Sequence, residues 1–154
     1  MDIEEQYDKI YRYCYFKMYD DQIAQDITQE TFLRFCKQGL NLGSDKELPY
    51  LYIIAKNLCI DHFRRRTTES LEEITEEVID DPTEDLISNL TLRMTISKLP
   101  EDEQELIFLR YVNEVSITTI CKITGLSRFA VYRKLSKSLK WLKEELLKEG
   151  FSNG

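Results

Sequence analysis

The chain has 154 residues, 42% of them hydrophobic and 11% aromatic, and a formal net charge of −7. That is enough apolar material for one ordinary domain or two small ones, which excludes wholesale disorder. No apolar run reaches the roughly 18–20 residues of a membrane span, and five Gly and three Pro are too few for a turn-rich sandwich or barrel.

The acidic start Met1-Asp2-Ile3-Glu4-Glu5 cannot serve as a signal peptide's basic region. A soluble, cytoplasmic chain without direct membrane insertion is expected. Tyr7, Ile10, Tyr11, Cys14, Tyr15 and Met18 recur at helical spacing and predict a first amphipathic helix. Asp20 and Asp21 mark a break and an N-cap for a second helix over about 22–38. There Ala24, Ile27, Thr31 and Phe35 form a buried stripe, while Asp26, Gln29, Glu30 and Leu33 share another face. Gly39 to Lys46 reads as a loop. Pro49 suits the first turn of a third helix running to about Arg66, with Leu51, Ile54, Ala55, Leu58 and Phe63 buried.

The charge is uneven along the chain. Residues 1–66 carry 10 Lys/Arg and 11 Asp/Glu, and residues 83–154 carry 11 and 10. Residues 67–82 carry seven Asp/Glu and no basic residue, which predicts an extended acidic linker. Its Leu71, Ile74, Val78 and Ile79 allow a weak helix or docking on a partner.

Pro82-Thr83 offers a stop and an N-cap for a helix over about 84–97. Pro100 opens another, with an apolar face of Leu106, Ile107, Leu109, the Arg110 stem and Val112. Ser116 and Ser127 cap two further helices joined at Gly125. The last runs over about 128–148 on Val131, Leu135, Leu139, Leu142 and Leu146. No strand pattern is present. The expected fold is all-α: two small helical domains, 1–66 and 83–154, joined by the acidic linker 67–82.

Cys14, Cys36, Cys59 and Cys121 lack any C-x-x-C pairing, and His62 is the sole histidine. Reduced thiols are expected, with no metal and no cofactor. Asp26 with Glu30, or Asp61 beside His62, could be acid–base pairs. No nucleophile or phosphate-binding loop accompanies them, so no catalytic residue is assigned.

Residues 116–135 match a helix–turn–helix. Cys121 is the small residue where the helices cross, Gly125 the turn residue, and Val131 the residue that packs the second helix. Arg128, Phe129, Tyr132, Arg133, Ser136 and Lys137 are left facing outward. A basic, aromatic face on a second helix suits the major groove, with arginines reading guanine and lysines holding phosphates. The bland alternative is an αα-hairpin with a solvated basic face.

Three stretches together resemble a known family. Asp26-Ile27-Thr28-Gln29-Glu30-Thr31-Phe32-Leu33-Arg34 resembles region 2.2 of bacterial sigma factors. Leu51-Tyr52-Ile53-Ile54-Ala55-Lys56-Asn57, followed by Asp61-His62-Phe63-Arg64-Arg65-Arg66, resembles regions 2.3 and 2.4. Leu99-Pro100, Leu109-Arg110-Tyr111 and the helix–turn–helix resemble region 4. Size and two-part layout are similar to the extracytoplasmic-function group of the sigma-70 family.

The resemblance implies an RNA polymerase sigma factor. Asp26, Gln29, Glu30, Phe32 and Leu33 would dock on the clamp helices of the polymerase β′ subunit. The loop 39–48 and the third helix, with Tyr50, Tyr52, Lys56, Asn57, Arg64, Arg65 and Arg66, would hold and open the −10 element. Arg128, Phe129, Tyr132, Arg133, Lys134 and Lys137 would read the −35 element as duplex. The implied partners are core RNA polymerase (β′ clamp helices and β flap), promoter DNA and, as often in this group, an anti-sigma factor. The acidic linker would thread basic channels of the polymerase, which itself performs the chemistry. Tyr50 stands where the family usually has Trp, and Ile53 where it has Arg. Tyr132-Arg133 replaces a commoner Lys-Ser and implies an unusual −35 sequence. The competing expectation is a stand-alone helix–turn–helix regulator, for which the face at 26, 29, 30 and 33 has no role.

Overall fold

The computed structural model describes residues 3–38, 44–69 and 92–148. The described elements are helices α1 (Ile3–Met18), α2 (Asp21–Lys37), α3 (Ser44–Glu69), α4 (92–96), α5 (Glu101–Ile107), α6 (Ile117–Thr124) and α7 (Arg128–Lys148). A single π-helical turn, Phe108–Val112, extends α5. No strand occurs among the described residues. The stretch 39–43, the linker beyond Glu69 and the start of the helix expected at about 84 lie outside them.

α1, α2 and α3 pack on one another to form the N-terminal half. Asp20 caps α2 as expected: its backbone is extended and its carboxylate accepts the Ile23 N–H at 3.0 Å. Ala24 and Ile27 are buried, and so are Thr28 and Thr31. Their hydroxyls donate to the Ala24 and Ile27 carbonyls at 2.7 Å, which removes the cost of burying them. The Cys14 thiol of α1 beside it, and then burial, push the Cys59 thiol of α3 up, and all four cysteines are free thiols.

Two expectations for α3 are corrected. The helix begins at Ser44, so Pro49 lies inside it, and residues 44–46 are helical, not loop. Tertiary contacts hold the turn ahead of the proline: Leu48 is buried, and Glu47 accepts a hydrogen bond from Gln6 at 3.3 Å. These contacts offset the backbone bond that a proline forfeits. Phe63 is exposed, because α3 runs past the end of the core it packs on.

In the C-terminal half, α5 carries Glu101, Asp102 and Glu103 in its first turn, where the helix dipole favours negative charge. Leu106, Ile107 and Leu109 are buried as expected, but Val112 is exposed. The π turn explains the difference. Asn113 N–H reaches back to the Phe108 carbonyl at 3.0 Å, and the wider turn swings Val112 out and Asn113 in. Ser116 accepts the Thr119 N–H at 3.1 Å and Ser127 the Ala130 N–H at 3.1 Å, so both caps form. Along α7, Val131, Leu135 and Leu142 are buried, while Leu139 is exposed and Ser138 takes the inner position.

Gly125 sits at φ 77°, the left-handed conformation that ends α6, and its N–H reaches the Cys121 carbonyl at 2.8 Å. A β-carbon there would touch nothing within 4 Å. Gly125→Ala therefore carries only backbone strain. It should lower unfolding stability by about 1–2 kcal/mol in a denaturant titration, with helix content unchanged.

The two halves do not stand apart. One hydrophobic cluster runs from Ile10 and Leu51 through Leu106 and Ile120 to Leu142. α3 lies against α6, and Phe16 of α1 stacks on Phe108 with ring centroids 4.4 Å apart.

Candidate nucleic-acid and partner interface

The helix–turn–helix takes the expected form. Val131 is 0% exposed and fixes α7 against its neighbours, whereas Cys121 is only half-buried at the crossing. Arg128, Phe129, Tyr132, Arg133, Ser136 and Lys137 are all exposed, Phe129 at 77%. Arg128 donates to the Thr118 hydroxyl at 2.6 Å, which ties the start of α7 to α6.

Two lysines of α7 have partners on α5. Lys134 lies 2.5 Å from Asp102, and its hydrogen bond holds that carboxyl below its ordinary range. Lys137 lies 3.9 Å from Glu103. Arg133 and Phe129 of the same helix are exposed, so the face keeps basic and aromatic groups in solvent.

On α2, Asp26, Gln29 and Leu33 are exposed and Glu30 half-buried; Leu33 keeps 53% of its surface. Asp26 accepts from Gln22 at 3.0 Å, and Glu30 pairs with Arg34 at 2.9 Å, both one turn away. The carboxylates thus stay on the surface, held only by their own helix. Phe32 is turned partly inward, its ring 5.5 Å from that of Tyr7. It supports the face from beneath more than it extends it.

The third set divides. Tyr50, Asn57 and Arg64 recur at seven-residue intervals and so share one stripe of α3. Asn57, Arg64, Arg65 and Arg66 are exposed, and Tyr50 is half-buried with its hydroxyl donated to Gln38. Tyr52 is different: it is 0% exposed, edge-on to Tyr13 at 5.4 Å, and its hydroxyl accepts from Asn113 at 2.8 Å. Lys56 pairs with Glu105 at 3.2 Å. Two of the seven residues therefore face the C-terminal half. Ile53, which stands where the family has Arg, is exposed, and so are Ile60 and Phe63, which were not anticipated as surface. For Ile53 and Ile60 the signal is an apolar residue off the register of Leu51, Ala55 and Cys59; Phe63 continues that register and is exposed all the same.

With this geometry in view, the family matches fall where the faces are. Residues 3–69 match sigma-70 region 2, and residues 89–142 match sigma-70 region 4. The chain is 31% identical over 159 residues to the ECF RNA polymerase sigma factor SigW of Bacillus subtilis, covering 90% of this chain and 83% of SigW. The chain belongs to the sigma-70 family, in its extracytoplasmic-function group.

This sigma factor is also 31% identical over 140 residues to the ECF sigma factor BldN of Streptomyces coelicolor, and it spans about half, 51%, of that relative's length. Among solved structures, the sigma factor RpoE in complex with the anti-sigma factor NepR from Bartonella quintana matches with a TM-score of 0.69. That likeness covers 95% of this chain and 94% of RpoE at 22% identity. CnrH in complex with the cytosolic domain of CnrY matches with a TM-score of 0.66 over 93% and 82% of the two chains at 18% identity. At those identities the likeness concerns the fold. As a member of a family of transcription initiation factors, this sigma factor is a subunit for promoter-specific transcription.

Proposed function

We propose that the chain binds core RNA polymerase through the outward face of α2 and directs initiation at its own promoters. Residues 1–66 engage the −10 element, residues 83–154 read the −35 element, and residues 67–82 tether the two. Asp26, Gln29, Glu30 and Leu33 contact the β′ clamp helices, with Phe32 bracing them, and the C-terminal half meets the β flap. Tyr50, Asn57 and Arg64 to Arg66 hold the melted strand, with Tyr52 and Lys56 behind them. Splayed bases stack on aromatic rings above a basic groove. Arg128, Phe129, Tyr132, Arg133, Lys134 and Lys137 lie in the −35 major groove. The chain works in the cytoplasm and holds no catalytic residue of its own.

One observation carries this reading. An exposed basic and aromatic face on α7 coexists with a surface of paired carboxylates and a bare leucine on α2, which a stand-alone regulator has no use for. Each half alone grips DNA weakly, and joint attachment to the polymerase raises the effective concentration of both. RpoE is seen with the anti-sigma factor NepR, which supports a regulator of that class for this chain. Titration of the labelled chain with bacterial core RNA polymerase should give saturable binding. A folded chain that ignores the polymerase yet grips duplex DNA would overturn the proposal.

The pairing of Lys134 with Asp102 yields a second test. Asp102→Asn frees one ammonium on the DNA face and removes a negative charge beside it. Binding of the chain–polymerase complex to duplex promoter DNA should tighten, and the slope of log affinity against log salt should steepen by about 1.

A further inference from the structure

We propose that the groove lined by α1, α4, α5 and the π turn binds a small amphiphilic carboxylate, with its apolar body among the aromatic rings and its charge on Arg93 and Arg12. The site is separate from the DNA and polymerase contacts assigned above and gives the chain a small-molecule ligand of its own.

The groove holds about 520 Å³, an ordinary size for a small-molecule site. Phe16 of α1 and Phe108 of the π turn line it as a stacked pair, with ring centroids 4.4 Å apart. Ile96 of α4, Ile107 of α5 and Val112 complete an apolar lining. A hydrocarbon chain or ring system gains there by leaving water.

Two cations share this lining, Arg12 and Arg93, and neither has an ion-pair partner among the described residues. Arg12 donates its Nε to the Asn113 Oδ1 at 2.9 Å, which leaves the terminal nitrogens of its fork without a hydrogen bond among the described residues. Arg93 is half-buried, 4.0 Å from the centre of the Tyr19 ring and 5.9 Å from that of Tyr15. Aromatic rings hold a guanidinium by its flat side and leave its N–H edge for a carboxylate. A cation partly withdrawn from water with no counter-charge is costly, and an incoming anion removes that cost.

Two backbone distortions serve the groove. Tyr19 holds φ 55°, a left-handed conformation costly for a residue with a β-carbon, and its ring meets Arg93. The π turn Phe108–Val112 supplies both of its end residues to the lining. Strained residues and single π turns gather at functional sites. A carboxylate matches the planar guanidinium fork with parallel hydrogen bonds, and the apolar recess sets the rest of the ligand. The recess lies between helices, which favours a free amphiphile over a membrane surface.

Isothermal titration of the full-length chain with dodecanoate, below its micelle concentration, should give saturable binding at a single site. Dodecanol keeps the hydrocarbon and lacks the charge, and it should bind about tenfold more weakly. Arg12→Gln/Arg93→Gln should lower the dodecanoate affinity about ten- to hundredfold and leave the dodecanol value unchanged. Val112 is 52% exposed, so Val112→Glu should keep helix content while its carboxylate repels the anion and abolishes dodecanoate binding. No saturable binding by the wild type, equal affinity for dodecanol, or full affinity in the double arginine variant would overturn the proposal. Co-sedimentation with phosphatidylglycerol vesicles separates the two sources of an anionic amphiphile. Capture by vesicles without binding of free dodecanoate would assign the groove to a lipid surface and equally overturn it.

Discussion

Asp26→Arg combined with Glu30→Arg should abolish saturable binding to core RNA polymerase and leave helix content intact. Asp26 is exposed and Glu30 half-buried, and their hydrogen-bond and ion-pair partners, Gln22 and Arg34, lie one turn away on α2. Reversal costs the fold little, because exposed pairs of this kind contribute only a few tenths of a kcal/mol. Binding loses much more. A carboxylate that meets a basic partner in an interface costs about 2–5 kcal/mol when its contact is broken, and reversal adds repulsion. The dissociation constant should rise by about 30-fold or more. Leu33→Ala should weaken binding less, in proportion to an exposed apolar contact. Unchanged binding by the double variant would move the docking face away from α2.

The second large effect falls on α7. Arg133 is exposed on the recognition helix, beside the lysines that pair with Asp102 and Glu103. A guanidinium there can hold a guanine edge with two parallel hydrogen bonds, a contact no lysine reproduces. Arg133→Ala should cost about 1–3 kcal/mol of discrimination between the preferred −35 sequence and a single-base variant. Transcription from paired promoters by the reconstituted complex measures it. An equal loss on both promoters would make Arg133 a phosphate contact instead.

Much of the fold was legible because local signals agreed with tertiary packing. Asp20, Ser116, Ser127 and Gly125 are caps whose geometry follows from two or three neighbouring residues, and all four took it. Val131 and the outward set of α7 followed from the positions a helix–turn–helix requires. What was not legible depends on distant partners. Tyr13 lies off the expected stripe of α1 and is buried because Glu105, Phe108 and Tyr52 close around it. Asn113 is invisible to any hydrophobic pattern, yet a π turn and the opposite half make it an interior residue. Pro49 suggested a helix start, but the burial of Leu48 carried the helix one turn further back.

The same distinction applies to the site. Exposed recognition faces are local properties of amphipathic helices, so Asp26, Gln29, Leu33 and the α7 set emerged from spacing and resemblance. Tyr52 and Lys56 did not behave as free surface, since the closed packing of the halves occupies them. Spacing within one helix carries no information about which other helix will cover it.

The most direct test is run-off transcription from fragmented chromosomal DNA of the source organism, using core RNA polymerase with and without the chain. The account predicts a discrete set of transcripts that appears only when both are present and vanishes with the Asp26/Glu30 double variant. An unchanged transcript profile, with the chain alone still selecting specific duplex fragments, would contradict it.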